Sequence, residues 1–326
     1  MAAVRLPGPL LPFSERLVTD SAPCDLHMHT YYSDGRASPA DLVGHAAKIG
    51  IRVMAITDHD NTRGAREAAP LAARAGIELI PAIEFTSRWD GEGAPAGNTD
   101  IDLLGYFIDW DALTFQIREH AALDDIRARV SSLCAAITVE GHPLALAELL
   151  AENPRYAGFV QLIHVALRKK IVPNWDTAVA LIDRLWPAVR RSAYTVQEMI
   201  AAIHAAGGAA VLAHPAVITN NGHGWIGASH VAVLAAAGLD GLEIYHHRLN
   251  QAARKHFGAL AGQFGLLVSG GSDEHGWYKP YQRFGQEPVT LEMVEALRAR
   301  AAQRRAEAQR ARLQRQGLVR EGAGRE

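Results

Sequence analysis

The stretch CDLHMHTYYSDG, residues 24–35, begins like a buried strand and ends in polar residues that favour a turn. His27 and His29 are separated by one residue, and Asp34 follows five residues after His29. Alternate residues of a strand point to the same side, so both imidazoles can face one point at the end of the strand. Imidazoles and a carboxylate together predict a metal site, provided that other segments supply further ligands.

Helical segments separate most of the other candidate strands. One helix begins at Ser38 and Pro39 and ends at Gly50, and a second, around residues 65–75, ends at Gly76. This alternation predicts the α/β class, with a parallel sheet built from βα units. The seven predicted strands are CDLH (24–27), IRVMAIT (51–57), IELIPAIEF (77–85), IDLLGYF (101–107), AAVLA (209–213), GLEIY (241–245) and LLVSG (266–270).

The pattern changes twice along the chain. Residues 113–195 contain one predicted helix after another and no strand, which indicates a helical insertion between strands four and five. We therefore predict a catalytic α/β unit from residues 1–112 and 196–290, with residues 113–195 as an insertion that covers the substrate. Residues 291–326 predict an exposed basic helix that frays into a disordered tail; the alternative is a basic arm that holds an anionic substrate or partner.

Charge and cysteine content exclude several classes of protein. The 326 residues include 33 Lys and Arg against 35 Asp and Glu, so the whole chain has no general attraction to nucleic acid or membranes. Cys24 and Cys134 form no CxxC pattern, which favours a reducing compartment. No apolar run approaches the ~20 residues that span a bilayer, and residues 1–17 lack the apolar segment of a signal peptide. We expect a cytoplasmic protein without membrane contact or stable DNA binding.

Metal-binding side chains follow six of the predicted strands. The carboxyl ends of parallel strands form one face of an α/β fold, so these residues should meet in one pocket. They exceed the needs of one ion, and Glu84 or Asp273 could bridge two ions that share a hydroxide. The strand-end residues are His27, His29, Asp34, Asp58, His59, Asp60, Glu84, His214, His246, Asp273 and His275. Surface positions are expected for His120, His142, His204, His223, His230 and His256.

Five segments together resemble a known family. DLHMHTYYSDG, ITDHDNTRG, IPAIEFTS, VLAHP and SGGSDEHG, in this order between residues 24 and 276, are similar to motifs of the PHP (polymerase and histidinol phosphatase) family of metal-dependent phosphoesterases. The resemblance implies a distorted (β/α)7 barrel with a three-metal centre and a helical insertion between strands 4 and 5. It is strongest with the branch of nucleoside 3′,5′-bisphosphate phosphatases and 5′-3′ exoribonucleases.

The resemblance also implies a ligand set. By this comparison the first metal is bound by His27, His29, Glu84 and Asp273, the second by Glu84 and His214, and the third by Asp34, His59 and His275. Family members usually have another histidine on strand four, where this chain has Asp102. Asp102 is expected to be a ligand that favours manganese over zinc, or else to mark a weakly held second metal. We expect two or three divalent ions, with Mn²⁺ preferred over Zn²⁺ or Fe²⁺.

The insertion departs from the family where it binds the substrate phosphate. The segment QLIHVALRKKI keeps the family histidine as His164, but Leu162 and Leu167 replace two arginines. Arg168 and Lys169 are expected to bind substrate from shifted positions; a solvated basic turn is the alternative. Arg248 is a further candidate for substrate binding. Of the strand-end residues, His246 and Asp273 are the candidates for catalysis, and either His246 or a metal-bound water is expected to protonate the leaving group.

The expected reaction is hydrolysis of a phosphate monoester, of a nucleotide or another small organic phosphate, by a hydroxide that bridges the metals. A 5′-3′ exonuclease acting on short oligoribonucleotides is the second interpretation, and it requires aromatic surfaces that stack on bases. Its candidates are Tyr31, Tyr32, Trp175, Trp186 and Trp277. Two further alternatives are a non-catalytic metal-binding module and C–N bond hydrolysis.

Overall fold

The computed structural model describes residues 24–91, 93–95, 99–186, 189, 192–218, 224–276 and 283–315. Among the described residues the strands are β1 Cys24–Asp25, β2 Val53–Met54, β3 Glu78–Leu79, β4 Ala82–Trp89, β5 Thr99–Tyr106, β6 Ala209–Leu212, β7 Gly241–Tyr245 and β8 Leu267–Gly270. The helices are α1 Pro39–Ile49, α2 Arg63–Arg74, α3 Leu113–Val139, α4 Leu146–Glu152, α5 Phe159–Arg168, α6 Trp175–Leu185, α7 Val196–Ala205, α8 Ala228–Ala236, α9 Gln251–Phe264 and α10 Leu291–Arg315. A short 3-10 helix spans Pro215–Val217.

Helix α1 shows how closely its ends follow the sequence. The Ser38 hydroxyl accepts a hydrogen bond from the backbone N–H of Asp41 at 3.0 Å, and the Asp41 carboxylate accepts one from the backbone N–H of Ser38 at 3.2 Å. This reciprocal capping box satisfies donors that the helix itself cannot pair. Gly50 ends the helix with φ of 82°, a left-handed conformation that glycine adopts without steric cost. The predicted start and end of α1 are confirmed.

The mixed α/β class is confirmed, but the sheet differs from the prediction. Strands β1, β2 and β3 form a parallel three-stranded sheet, and β4 to β8 form a five-stranded sheet in chain order. Strand β5 runs antiparallel to both β4 and β6, whereas β6, β7 and β8 are parallel. The prediction of one all-parallel sheet was therefore wrong. Isolated bridges link the two sheets on both sides, from Met28 to Glu274 and from His59 to Glu84.

The third predicted strand is divided at Pro81. Its first part, β3, pairs with β2, and its second part, β4, pairs with β5. Proline has no N–H to donate to a ladder, so it tends to mark a break or an edge. The break lets the chain leave one sheet and enter the next.

Two of the hydrophobic clusters show how the C-terminal helix and the insertion pack. One combines residues of both sheets with α10: Cys24, Leu26, Val53, Ala55, Ile80, Ala82, Leu104, Tyr106, Ala209, Val211, Ala213, Val294, Leu297 and Ala301. A separate cluster joins α3 to α6 through residues between Leu123 and Val189. The helices of residues 113–185 thus have a core of their own.

The C-terminal helix α10 is not the exposed element that its composition predicts. Val294, Leu297 and Ala301 are buried against the strands. Arg300 and Arg304 bond to the buried carboxylate of Asp240, at the start of β7. Charged residues on the outer face of a helix can hide how firmly its inner face is packed.

Some predictions concern residues outside the described ranges. These are the absence of a signal peptide at the N-terminus, the surface position of His223, the stacking role of Trp277 and the disorder of the tail after residue 315. Across the part of the chain that the structure describes, no helix combines the length and apolarity needed to cross a membrane.

Candidate metal centre

Close backbone contacts bring the strand ends together. The segment after β1 is bonded to the segment after β8: His29 N donates to Glu274 O at 3.0 Å, and Asp273 N donates to His27 O at 2.8 Å. A side chain at Gly271 would put its Cβ 2.3 Å from His27 N, so only glycine allows this approach. Residues more than 240 positions apart in sequence therefore share one site.

Four side-chain atoms from three segments of the chain surround one point: two follow β1, one lies within β4 and one follows β8. His27 Nε2 lies 3.2 Å from both His29 Nε2 and Glu84 Oε2. Asp273 Oδ1 lies 3.4 Å from His27 Nε2 and 3.3 Å from His29 Nε2, and His29 Nε2 lies 3.2 Å from Glu84 Oε2. A tetrahedral ion with bonds of about 2.0–2.1 Å holds its ligand atoms about 3.3–3.4 Å apart. The four residues predicted for the first metal fit that spacing.

A second group of possible ligands surrounds Asp34. His275 Nε2 lies 3.2 Å from Asp34 Oδ1, and His59 Nε2 lies 3.7 Å from Asp34 Oδ2. His29 adds its Nδ1, 3.6 Å from Asp34 Oδ1. One ligand atom from each of these four residues falls within 4.8 Å of the others. The structure thus brings together the residues predicted for the third metal.

Glu84 occupies the centre of the whole arrangement. Its Oε2 faces His27, His29 and, at 3.4 Å, His59 Nδ1, while its Oε1 lies 3.2 Å from His214 Nε2. The Nδ1 atom of His59, which faces Glu84, is buried and has no hydrogen-bond partner among the described residues. A buried nitrogen without a partner is costly in an ordinary core, but it suits a ring that binds a metal. A carboxylate with partners on both oxygens is placed to bridge ions.

Asp102 is the most loosely placed of the predicted ligands. Its Oδ2 lies 3.9 Å from His214 Nε2, and its Oδ1 accepts a hydrogen bond from Thr86 Oγ1 at 2.8 Å. The side chain lines the same cavity as Glu84 and His214. One oxygen is therefore held by the protein and the other faces the ligand cluster.

The cluster has a strongly negative potential that favours positive species. Burial disfavours charge on His59 and His275, yet nearby carboxylates raise the pKa of His59 to about 9 and that of His275 to about 10. Burial would raise the pKa of Glu84, but His27 and His59 hold it well below its usual range. Sites of this kind bind protons or divalent cations in competition.

Glu243 is an important member that the sequence analysis missed. Its Oε1 accepts a hydrogen bond from His27 Nδ1 at 2.8 Å, and its Oε2 accepts one from the backbone N–H of His214 at 2.7 Å. With its proton on Nδ1, the His27 ring keeps the Nε2 lone pair for a metal. A glutamate inside the apolar strand GLEIY was the available indication, because a buried carboxylate needs a partner.

His246 lies behind the ligands, away from the cavity. The ring is fully buried, and its Nδ1 accepts the backbone N–H of Arg248 at 3.1 Å. A neutral ring then has its proton on Nε2, which lies 3.2 Å from Asp273 Oδ2. His246 Nε2 makes no hydrogen bond among the described residues, and the burial of the ring gives it no direct path to a leaving group.

A cavity of about 380 Å³ opens onto the cluster. Its walls include the predicted substrate residue Arg248 and two residues that were not predicted for this role, His247 and Arg283. Arg283 Nη1 donates to His247 Nε2 at 2.9 Å. Burial and the neighbouring His246 lower the pKa of His247 to about 4, so this ring is neutral at neutral pH. Guanidinium groups beside a metal cluster suit a phosphate ligand.

The other predicted substrate residues lie elsewhere. Arg168 is paired with Glu152, and Lys169 Nζ lies 2.8 Å from Glu148 Oε2. Neither is among the described residues that line the cavity at the cluster. His164 lines a separate, neighbouring cavity. The structure therefore does not bring these three residues to the metal ligands.

Comparison with known proteins identifies the family. The model of the PHP domain family matches residues 25–236. The chain belongs to the PHP family. A 5′-3′ exoribonuclease of Haemophilus influenzae is 30% identical over 266 residues, which cover 78% of this chain and 91% of that protein. A 3′,5′-nucleoside bisphosphate phosphatase of Chromobacterium violaceum is 28% identical, covering 77% of this chain and 86% of the relative.

The solved structures agree with this family. A protein of Bifidobacterium adolescentis described as a metal-dependent phosphoesterase superposes with a TM-score of 0.73 and 26% identity, covering 85% of this chain and 96% of the other. The PHP protein described here is thus a hydrolase of phosphoric esters that binds metal. The predictions of family and enzyme class are confirmed.

Proposed function

We propose that this PHP protein hydrolyses phosphate monoesters of nucleotides or similar small phosphates at the cluster around Glu84. The observation that supports this most directly is the close approach of four ligand atoms. His27 Nε2 and His29 Nε2 lie 3.2 Å apart, and Glu84 Oε2 and Asp273 Oδ1 each lie within 3.4 Å of both. In the reaction, water adds to phosphorus, the ester P–O bond breaks and the leaving oxygen takes up a proton. Bound divalent cations supply Lewis-acid activation of water and offset the phosphate charge.

The protein's own residues position the reactants. Glu243 fixes the tautomer of His27, and the buried ring of His246, with its Nε2 3.2 Å from Asp273 Oδ2, limits the movement of that carboxylate from behind. Arg248 and Arg283, on the cavity wall, would face the phosphate oxygens. In this proposal His246 is a positioning residue rather than the proton donor, because its ring is fully buried.

The finer assignments belong to the same proposal. His27, His29, Glu84 and Asp273 would hold one ion, Asp34, His59 and His275 would hold another, and Glu84, His214 and Asp102 would hold a third. Asp102 supplies a carboxylate where family members usually have a histidine, and carboxylate oxygens suit Mn²⁺, so we propose manganese before zinc or iron. The two sheets, linked by the bridges at Met28 and His59, would form the walls of a distorted barrel. The helices of residues 113–195, with their own core, would cover the substrate.

The second candidate is a 5′-3′ exonuclease that acts on short oligoribonucleotides. It uses the same cluster but requires room for a second nucleoside, and a large neighbouring cavity supports it. A non-catalytic metal-binding module is disfavoured, because the cavity at the cluster is open to a substrate.

Metal reconstitution tests the proposal. Chelated protein is supplied with Mn²⁺ or Zn²⁺ and assayed on p-nitrophenyl phosphate, a nucleoside 3′,5′-bisphosphate and a short 5′-phosphorylated RNA. We expect Mn²⁺-dependent release of product by the wild type and loss of that activity in His59→Ala. His120→Ala is the matched control, because His120 is exposed on α3 and bonds only to Gln116 O among the described residues. Equal turnover by wild type and His59→Ala would refute the proposal.

A further inference from the structure

Asp34 lies in a tight turn between β1 and α1, residues 30–35, which we call the Asp34 turn. The backbone oxygen of Thr30 accepts hydrogen bonds from Ser33 N and Gly35 N, both at 3.0 Å. A Cβ on Gly35 would lie 2.3 Å from the backbone oxygen of the residue that precedes the turn, so only glycine allows this geometry. The carboxylate of Asp34 reaches the metal cluster from this turn, and its position therefore depends on how firmly the turn is held.

Asp58, which follows β2, holds the Asp34 turn from within the α/β unit. Its Oδ1 accepts hydrogen bonds from Thr30 N and Ser33 Oγ, both at 2.7 Å, and its Oδ2 accepts one from Thr30 Oγ1 at 2.7 Å. The side chain is buried, and a Cβ on Gly64 would lie 2.0 Å from its Oδ2. Both carboxylate oxygens of Asp58 are therefore committed to the turn.

Two amide side chains of the insertion hold the backbone of the same turn. Asn153, directly after α4, donates from Nδ2 to Tyr31 O at 2.9 Å and to Ser33 O at 3.0 Å. Gln161, in α5, is buried and donates from Nε2 to Ser33 O at 3.2 Å. The backbone oxygen immediately before Asp34 thus accepts hydrogen bonds from both amides.

The orientation of each amide is fixed by its oxygen. Asn153 Oδ1 accepts a hydrogen bond from Arg155 N at 3.0 Å, and Gln161 Oε1 accepts one from Gly158 N at 2.9 Å. An amide oxygen cannot donate and an NH2 group is a donor, so both NH2 groups must face the carbonyls of the turn. An alkyl side chain at either position would remove the donor and leave a buried carbonyl with one partner fewer.

Hydrogen bonds to the turn favour ion binding at Asp34. A metal ligand must be kept within about 0.5 Å of its productive position by the groups that support it. Ordering a flexible turn costs conformational entropy, and that cost reduces the affinity of any ion that has to order the turn as it binds. Here Asp58, Asn153 and Gln161 order the turn when the protein folds. The ion affinity at Asp34 should therefore depend on residues that do not touch the ion.

We propose that Asn153 and Gln161 are positioning residues for the ion assigned to Asp34, His59 and His275. This proposal rests on the proposed function, because it uses that assignment of ligands. The insertion is then part of the metal centre and not only a cover for the substrate. Since the coupling between two sites is reciprocal, an ion bound at Asp34 also strengthens the packing of the insertion on the turn.

Titration of chelated protein with Mn²⁺ is the first test. Asp34→Asn should bind one ion fewer than the wild type. Asn153→Ala and Gln161→Leu should weaken the binding of that ion by about 10–100-fold, the usual effect of losing a group that supports a ligand, and leave the other ions unchanged. Adding Asn153→Ala to Asp34→Asn should cause no further loss, because the ion that depends on the turn is already absent.

Hydrogen exchange is the second test, and it does not depend on activity. In the chelated wild type the amides of Ser33 and Gly35 should be protected, and Asn153→Ala and Gln161→Leu should both exchange them faster. Adding Mn²⁺ to the wild type should slow exchange in α4 and α5, and this slowing should be absent from Asp34→Asn.

The matched control is Asn174→Ala. Asn174 is an exposed asparagine of the same insertion that caps α6 by accepting from Thr177 N at 2.9 Å, and among the described residues its side chain bonds only to Thr177. This variant should leave the Mn²⁺ affinity and the exchange of the turn unchanged. An equal loss of the ion in Asn174→Ala would overturn the specific role of Asn153 and Gln161.

Three results separate this proposal from the proposed function. If Asp34→Asn loses an ion while Asn153→Ala and Gln161→Leu bind Mn²⁺ as the wild type does, the positioning role is overturned and the proposed function stands. If Asp34→Asn binds as many ions as the wild type, the ligand assignment is refuted together with the positioning role. Wild-type protein that binds Mn²⁺ but releases no product from p-nitrophenyl phosphate or either nucleotide would refute the proposed function itself.

Discussion

Buried carboxylates have different partners at the two ends of the parallel strands β6 to β8. At their start, Asp240 accepts hydrogen bonds from Ala210 N at 2.9 Å, Arg300 Nη1 at 2.9 Å and Arg304 Nη2 at 2.7 Å, and His204 Nε2 lies 2.8 Å away. At the other end, Glu84 and Asp273 face imidazoles. The protein thus supplies permanent cations at one end and titratable ligands at the other. In the first arrangement every charge has a protein partner, whose removal would leave an uncompensated buried charge, and the second arrangement is suited to ions from solution.

The largest effect is expected from Glu84→Gln. The change keeps the shape of the side chain but removes the charge shared by the proposed ions. Because metal ions contribute several kcal/mol to such reactions, activity should fall by at least about 10³-fold. Metal analysis and kcat/KM on p-nitrophenyl phosphate measure this. The thermal shift that Mn²⁺ produces in the wild type should also shrink, since that shift reports binding to the folded state and Glu84 belongs to two of the three proposed ion sites.

Asp240→Asn should give the converse result. Arg300 and Arg304 lose a buried partner, and we expect the free energy of unfolding to fall by about 3 kcal/mol, because both guanidiniums are partly exposed and can be hydrated. Urea unfolding measures the loss. Metal content and kcat/KM should remain those of the wild type. A variant that folded normally but lost its metal would contradict the separation of the two ends.

The same residue predicts a pH dependence. Burial would raise the pKa of Asp240, but His204 and the arginines hold it below its usual range. A lowered pKa stabilises the folded protein above the unfolded value of about 4, and this stabilisation is lost as the pH falls through the folded pKa. The difference in unfolding free energy between wild type and Asp240→Asn should therefore be largest near neutral pH and shrink below pH 4. A difference that stayed constant in acid would contradict this.

Glu243→Gln should have an intermediate effect on the metal affinity of the cluster around Glu84. Gln can still accept a bond from His27 Nδ1, but it no longer makes the ring as basic. Loss of such a supporting group typically costs 10–100-fold in metal affinity or activity. Titration of chelated protein with Mn²⁺ measures it. Unaltered affinity would show that Glu243 serves the fold alone.

The smallest effect is expected from Arg168→Gln. Arg168 is half-exposed and paired with Glu152. Like Asp240, it therefore already has a charged partner within the protein. An exposed pair of this kind contributes about 0–1 kcal/mol to stability. We expect unchanged kcat/KM for p-nitrophenyl phosphate. A marked rise in KM would return Arg168 to the substrate-binding role that its sequence position predicts.

The features predicted correctly from the sequence depend on residues that are close together in the chain. Capping residues define α1, and strand-end residues such as His27 and Glu84 follow short apolar runs. Sequence reasoning failed where partners are distant. The antiparallel β5 follows a connection, residues 90–98, that is too short and too rich in glycine for a helical crossover, which was an overlooked indication. His204 was assigned to the surface because nothing near it in sequence shows that Asp240 is its partner.

The contacts of α10 with the sheets also affect when the chain can fold during its synthesis. A nascent chain that ends after β8 places Asp240 against His204 but lacks both arginines, which follow 60 and 64 residues later. Its carboxylate would have to stay hydrated or take up a proton, and the buried faces of Val294 and Leu297 would be missing from the interior. We therefore expect the final packing of the sheets to require the C-terminal helix, so that folding is completed late in synthesis.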